Sequence, residues 1–90
     1  MTKEEVVALT NQVFEEGFEI DPKRLVPQAR IFEDLGLDSL DIVDLIVALQ
    51  KKFWVQIRED ERVHGIRTLD DVVQFILVLK QEEERPRSPL

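Results

Sequence analysis

The chain has 90 residues, a formal net charge of −7 and 43% apolar residues, the profile of one small globular domain with room for a single core and none for a deep active-site cleft. It has no Cys, which excludes disulfides, thiolate metal sites and thiol nucleophiles, so any chemistry here that needs a thiol needs one added. The charge is lopsided, with Lys3, Lys23, Arg24 and Arg30 set against eleven carboxylates in residues 1–50 and eight of each sign in residues 51–90. This excludes nucleic acid, which requires a basic stripe, and suits a basic protein surface.

Thr2 and Glu5 have the spacing of a capping box, and Val6, Leu9 and Val13 recur at helical intervals, predicting a first helix over 3–16 that Gly17 ends in a left-handed conformation. Residues 18–37 contain Pro22, Pro27 and Gly36 among scattered apolar residues (Phe18, Ile20, Leu25, Val26, Ile31, Phe32, Leu35) without a period. They read as a long loop packed on the core, either functional or a clamp. Asp38 is a good N-cap, and Ser39 to Phe53 holds no Gly or Pro and a strong helical period, predicting a second helix. Glu59 to Val63 forms one or two turns of a short third helix stopped by Gly65. Thr68 with Asp71 repeats the capping-box spacing, and Leu69, Val72, Val73, Ile76 and Lys80 mark a last helix to about residue 82. The tail, 83–90, has two prolines and little to bury, and is expected to be disordered.

At 100° per residue the second helix separates into two faces. Ile42, Leu45, Ile46, Leu49 and Phe53 share about one third of the circumference, the width of a core-facing stripe. Leu40, Asp44, Val47 and Lys51 lie opposite, with Val43 at the border. An exposed mixture of aliphatic and acidic side chains beside a serine at the first turn suggests a docking surface for a partner. The alternative is a helix buried all round in a four-helix bundle, against which Asp41, Asp44 and Lys51 weigh, since they are costly to bury unpaired. Ser39 has no base near it in sequence, and Gly36-Leu37-Asp38-Ser39 does not match the Gly-x-Ser-x-Gly elbow of hydrolases. It reads as a residue modified by another protein.

The stretch Phe32-Glu33-Asp34-Leu35-Gly36-Leu37-Asp38-Ser39-Leu40-Asp41-Ile42-Val43-Asp44-Leu45 resembles the acyl carrier protein family, and the resemblance extends over roughly residues 3–80. It implies that Ser39 receives 4′-phosphopantetheine from coenzyme A through a phosphopantetheinyl transferase, and that the arm's thiol then holds an acyl chain as a thioester. A helix N-terminus, with free N–H groups and the helix dipole, suits the anionic phosphodiester. Asp38 resembles the acidic residue that helps the transferase engage its metal and the serine, beside its plain role as an N-cap. Leu40, Asp41, Val43, Asp44 and Val47 resemble the positions that meet basic and apolar docking patches on partner enzymes. Gly36 supplies a backbone conformation that other residues adopt only at a cost.

The chain departs from common fatty-acid carriers in Gln50-Lys51-Lys52-Phe53-Trp54, where the end of the second helix is otherwise acidic, and this favours a specialised carrier serving a dedicated pathway. Lys51 and Lys52 also complement the helix C-terminus. Trp54 reads as closing the bottom of the core, or else as an exposed contact. His64, alone and without Cys, makes no typical zinc site and reads as a loop residue, and Glu59-Asp60-Glu61 is a solvated charge run with at most weak attraction for cations.

The expected fold is all-α, a small four-helix bundle of acyl carrier type with three longer helices, one short helix and a long loop after the first. An acyl carrier domain spans 1–82, ahead of the tail. The expected protein is a carrier rather than an enzyme, presenting acyl thioesters to acyltransferases, ketosynthases or related enzymes of fatty acid, lipid or polyketide-type biosynthesis. A peptidyl or aryl carrier domain, or an unmodified helical interaction module, is the alternative. Met1-Thr2-Lys3-Glu4-Glu5 is not a signal-peptide start and no apolar run spans a bilayer, so a cytoplasmic monomer without membrane insertion is expected.

Overall fold

The computed structural model describes residues 1–57 and 61–84. Among them the chain forms α1 (Lys3–Phe18), a 3₁₀ turn at Pro22–Arg24, α2 (Ser39–Phe53), a 3₁₀ turn at Glu61–Gly65 and α3 (Leu69–Glu84), with no strand. The protein is all-helical, and α1 packs against both α2 and α3.

The capping box of α1 forms as its spacing predicts: Glu5 N donates to Thr2 Oγ1 at 3.2 Å and Thr2 N donates to Glu5 Oε1 at 3.0 Å. The Thr2 backbone donor, followed by its hydroxyl, holds the Glu5 carboxyl below its ordinary pKa. Val6, Val13 and Phe14 are buried. Gly17 does not end the helix. It lies inside α1, and Glu19 takes the left-handed cap at φ 55, its N–H bonded to Phe14 O. Glycine permits that conformation without compelling it, and two further residues seat Phe18 against Phe14, with ring centroids 6.1 Å apart.

The loop from residue 19 to 37 is a clamp. Ile20, Leu25, Ala29, Ile31, Leu35 and Leu37 are buried, while Arg30 and Thr68 form an isolated antiparallel bridge. Ile31 N donates to Arg67 O at 2.9 Å; Leu69 N and Asp70 N donate to Ala29 O and Pro27 O at 2.9 and 2.8 Å. The last two bonds satisfy donors that the first turn of α3 cannot satisfy itself. Val26 and Phe32, expected to pack with the rest, are exposed, because a loop one chain thick turns only part of its side chains inward. Asp34 Oδ2 accepts from Arg30 N at 2.8 Å, the leading cause of its lowered pKa, and Arg24 donates to Asp34 O. Gly36 has φ 75, the left-handed conformation expected of it.

The box at the start of α3 also forms. Asp71 N donates to Thr68 Oγ1 at 3.2 Å, and Asp71 Oδ2 accepts from Thr68 N at 3.0 Å and Arg67 N at 2.9 Å. Leu69, Val72, Val73, Phe75 and Ile76 fill the core. The helix runs to Glu84, two residues past the expected boundary at 82, since Gln81 to Glu84 are all good helix formers. The short third helix is not an α-helix: residues 61–65 make a 3₁₀ turn, a segment too short to close several i→i+4 bonds before Gly65. Its expected start at Glu59 and Asp60, with the weak cation attraction there, and the tail from residue 85 to 90 lie outside the described residues.

Candidate functional site

Asp38 has extended backbone, φ −114 and ψ −175, and begins α2 with a reciprocal box. Its Oδ1 accepts from Leu40 N at 3.0 Å and Asp41 N at 2.9 Å, while Asp41 Oδ2 accepts from Asp38 N at 3.0 Å. Ser39 is therefore the first helical residue, held by the Asp38 cap that precedes it and by Leu37, buried just before that cap. Its side chain is exposed and its hydroxyl has no hydrogen bond among the described residues.

This arrangement corrects one expectation. The N–H groups of Leu40 and Asp41 are not free for an anion, because the Asp38 carboxylate already holds both. The helix dipole remains favourable at Ser39, but Asp38 and Asp41 oppose it with like charge. With no base bonded to it, Ser39 Oγ is an outward-facing hydroxyl that another protein can reach and that does not act as a nucleophile unaided.

The two faces of α2 separate as the wheel predicts. Leu45, Leu49 and Phe53 are buried, whereas Leu40 is 77% exposed and Val43, Asp44 and Val47 are exposed as well. Asp41 is half-buried and partly engaged in its own helix cap, so Asp44 is the freer carboxylate. Ile42 and Ile46 are only half-buried, and the reason is a cavity of about 400 Å³ between α2 and α3. Ile42, Ile46 and Leu49 line one wall, Val72 and Phe75 the other, with His64 at the turn beside it. Periodicity revealed neither the cavity nor the place of His64, since both depend on residues distant in sequence.

Trp54 takes the second of its two expected places. It does not close the core but is 85% exposed. Lys51 is exposed and Lys52 half-buried at the same end of α2, whose terminal carbonyl on Phe53 accepts from Lys80 Nζ at 3.2 Å. Among the described residues no three His, Cys, Asp or Glu side chains converge as a metal site, and no helix is long and apolar enough to cross a membrane.

Residues 9–76, spanning all of α2, match the family described as "Phosphopantetheine attachment site". The chain is 41% identical over 73 residues to "Acyl carrier protein 2" of Ralstonia nicotianae, covering 81% of this chain and 89% of that one. The chain belongs to the acyl carrier protein family. It is also 38% identical over 88 residues to the "Meromycolate extension acyl carrier protein" of Mycobacterium tuberculosis, covering 98% of this chain and 74% of that one. To the "Acyl carrier protein" of Thermosynechococcus vestitus it is 38% identical over 76 residues, covering 84% and 93%. As an acyl carrier protein it is a carrier rather than a catalyst, and its prosthetic group is phosphopantetheine.

Proposed function

We propose that Ser39 is the residue esterified by 4′-phosphopantetheine, and that the outer face of α2 presents it to partner enzymes. The observation that carries this reading is the exposed, unbonded hydroxyl at the first position of α2, inside the stretch that matches the attachment family. Once attached, the group supplies the terminal thiol that this Cys-free chain lacks. Asp38 holds the first turn of α2, which fixes the backbone that carries Ser39 at the surface, and its carboxylate also helps a transferase bring its metal to the serine. Leu40, Val43 and Val47 offer apolar contact, while Asp41 and Asp44 steer basic docking patches.

An acyl cargo is favoured over a peptidyl one by the cavity between α2 and α3, whose lining is almost wholly aliphatic and aromatic. Side chains there exclude water from an alkyl chain and offer few partners to peptide amides. In this reading the Glu61–Gly65 turn stands in the place of the third helix of a four-helix bundle. The carrier works as a cytoplasmic monomer with a phosphopantetheinyl transferase and then with acyltransferases, ketosynthases or related enzymes. Lys51, Lys52 and Trp54 favour a dedicated pathway over general fatty acid synthesis.

Incubation with coenzyme A and a broad-specificity phosphopantetheinyl transferase, read by intact mass, tests the attachment. The wild type should gain one prosthetic group and Ser39→Ala none. Equal modification of Ser39→Ala would overturn the assignment. Intact mass of the protein from its native host reads the cargo directly.

A further inference from the structure

The most exposed large hydrophobic side chain of the described residues sits where the backbone resists it. Trp54 has φ 55 and ψ 41, the left-handed region that glycine enters freely and any residue with a Cβ enters at a cost. The reversal itself is required, because Val55 and Ile57 return to the core and Ile57 N donates to Gln50 Oε1 at 2.8 Å. A glycine would serve that turn better. The indole gains nothing from the fold to offset the strain: it is 85% exposed, and its N–H has no hydrogen-bond partner among the described residues. Strain and exposure together at one large aromatic residue point to a role outside the folded chain.

Trp54 also extends the outer face of α2. Leu40, Val43, Val47, Lys51 and Trp54 follow one another at steps of three or four residues, so they form one stripe. Charge changes sign along α2, from Asp44 on the stripe, with Asp38 and Asp41 flanking it near Ser39, to Lys51 on the stripe, with Lys52 flanking it beside Trp54. At about 1.5 Å per residue the two ends lie about 22 Å apart.

We propose that Trp54 with Lys51 and Lys52 forms a second docking point, received by an acidic surface with an apolar notch on an enzyme that acts on the loaded carrier. The proposal rests on Ser39 being the attachment residue. One contact near Ser39 leaves the carrier free to pivot about it. A second at the far end of α2 fixes its rotation, so the arm enters the active site from one direction. Charge complementarity then demands both signs on the partner, basic near Ser39 and acidic near Trp54. An anionic membrane is disfavoured by Asp44 on the same stripe, by Asp38 and Asp41 beside it at the start of α2, and by the net charge of −7. A second copy could pair the helices antiparallel, but one helix face about 22 Å long and about 10 Å wide falls far short of the roughly 800 Å² per partner of a stable interface. That area suits a transient enzyme contact.

Trp54 is the chain's single tryptophan, so 5-fluorotryptophan labelling gives one ¹⁹F resonance. The probe is a ketosynthase from the native host that turns over the acyl-loaded carrier. Titration with it should shift or broaden the resonance, and Trp54→Gly should raise KM about tenfold, the effect of losing an interface anchor, rather than lower kcat. Trp54→Phe should recover most of that loss. Lys51→Glu with Lys52→Glu should raise KM in a way that added salt partly reverses, with helicity unchanged in each variant. A resonance unmoved at saturating enzyme, or KM within twofold of wild type for Trp54→Gly, overturns the proposal. So does a resonance moved instead by phosphatidylserine vesicles, or by self-association seen in sedimentation. Loading of the wild type by coenzyme A is scored separately: its failure removes the attachment reading, whereas normal loading and turnover with a silent Trp54 removes only the second docking point.

Discussion

The two faces of α2 carry the same kinds of aliphatic side chain and meet opposite surroundings. Leu45 is 3% exposed and Leu40, five residues earlier, is 77% exposed. Hydrophobicity does not separate them; rotation about the helix axis does, because α1 lies on one side and solvent on the other. Residues of the inner face are held by the fold, and those of the outer face are left with apolar surface that only a partner covers. The ends of α2 differ in the same sense, since Asp38 relieves the first turn with its cap while Trp54 strains the last.

Substitutions that compare the faces break or sharpen this contrast. The largest effect is expected for Phe53→Ala, which empties a fully buried site and should cost about 3–5 kcal/mol. In a domain of this size each kcal/mol lowers Tm by about 4–8 °C, so thermal denaturation followed by helicity should show a loss well outside error. Asp38→Ala comes next, at about 1 kcal/mol for a lost N-cap, whereas Asp38→Asn should keep most of the stability because Asn also caps. If Asp38→Asn is stable yet loads slowly with coenzyme A, the carboxylate serves the transferase as well as the helix.

Trp54→Gly should have the opposite sign. Relief of a left-handed residue is expected to stabilise by about 1 kcal/mol, and a Tm below that of the wild type would mean that the ring packs on the fold after all. A stabilised variant that docks poorly would place the strain at the service of binding.

The cap of α3 supplies a contrast by pH. Asp71 is held below the usual carboxylate value by the Arg67 backbone N–H first, against partial desolvation, with the Thr68 donors adding to it. Its folded pKa is depressed, so its contribution is complete above the unfolded value of about 3.9 and is lost as pH falls through the lower folded value. Denaturant titrations should show stability declining on acidification below about pH 4, and Asp71→Asn should make that decline shallower.

The smallest change in stability is expected on the outer face. Val47→Ala should stay within about 0.5 kcal/mol of wild type while speeding dissociation from a cognate enzyme, and Asp44→Lys should slow association instead. A stability loss in Val47→Ala approaching that of Leu45→Ala would show that Val47 belongs to the core and would dissolve the contrast between the faces.

Much of the site was legible because its physics is local. The boxes at Thr2–Glu5, Asp38–Asp41 and Thr68–Asp71 close within three residues, and the two faces of α2 follow from a period of 3.6, so spacing alone determined the caps, the helix starts and the outward place of Ser39. Gly36 was readable for the same reason. Tertiary structure decided the rest. Gly17 passed into α1 because Phe18 reaches Phe14, and Val26 and Phe32 faced outward because the clamp is pinned to α3 by Ala29 and Pro27 and to Arg67, just before α3, by Ile31. The cavity exists because α2 and α3 both pack on α1 and their facing side chains leave space between them. Trp54 turned to solvent because the reversal after α2 is held by Gln50 across the turn and by Lys80 from α3. Apart from the contact of Phe18 with Phe14 and the bond between Gln50 and Ile57, which are local, these outcomes depend on which distant segment returns to meet a residue, and no periodicity along the chain encodes that.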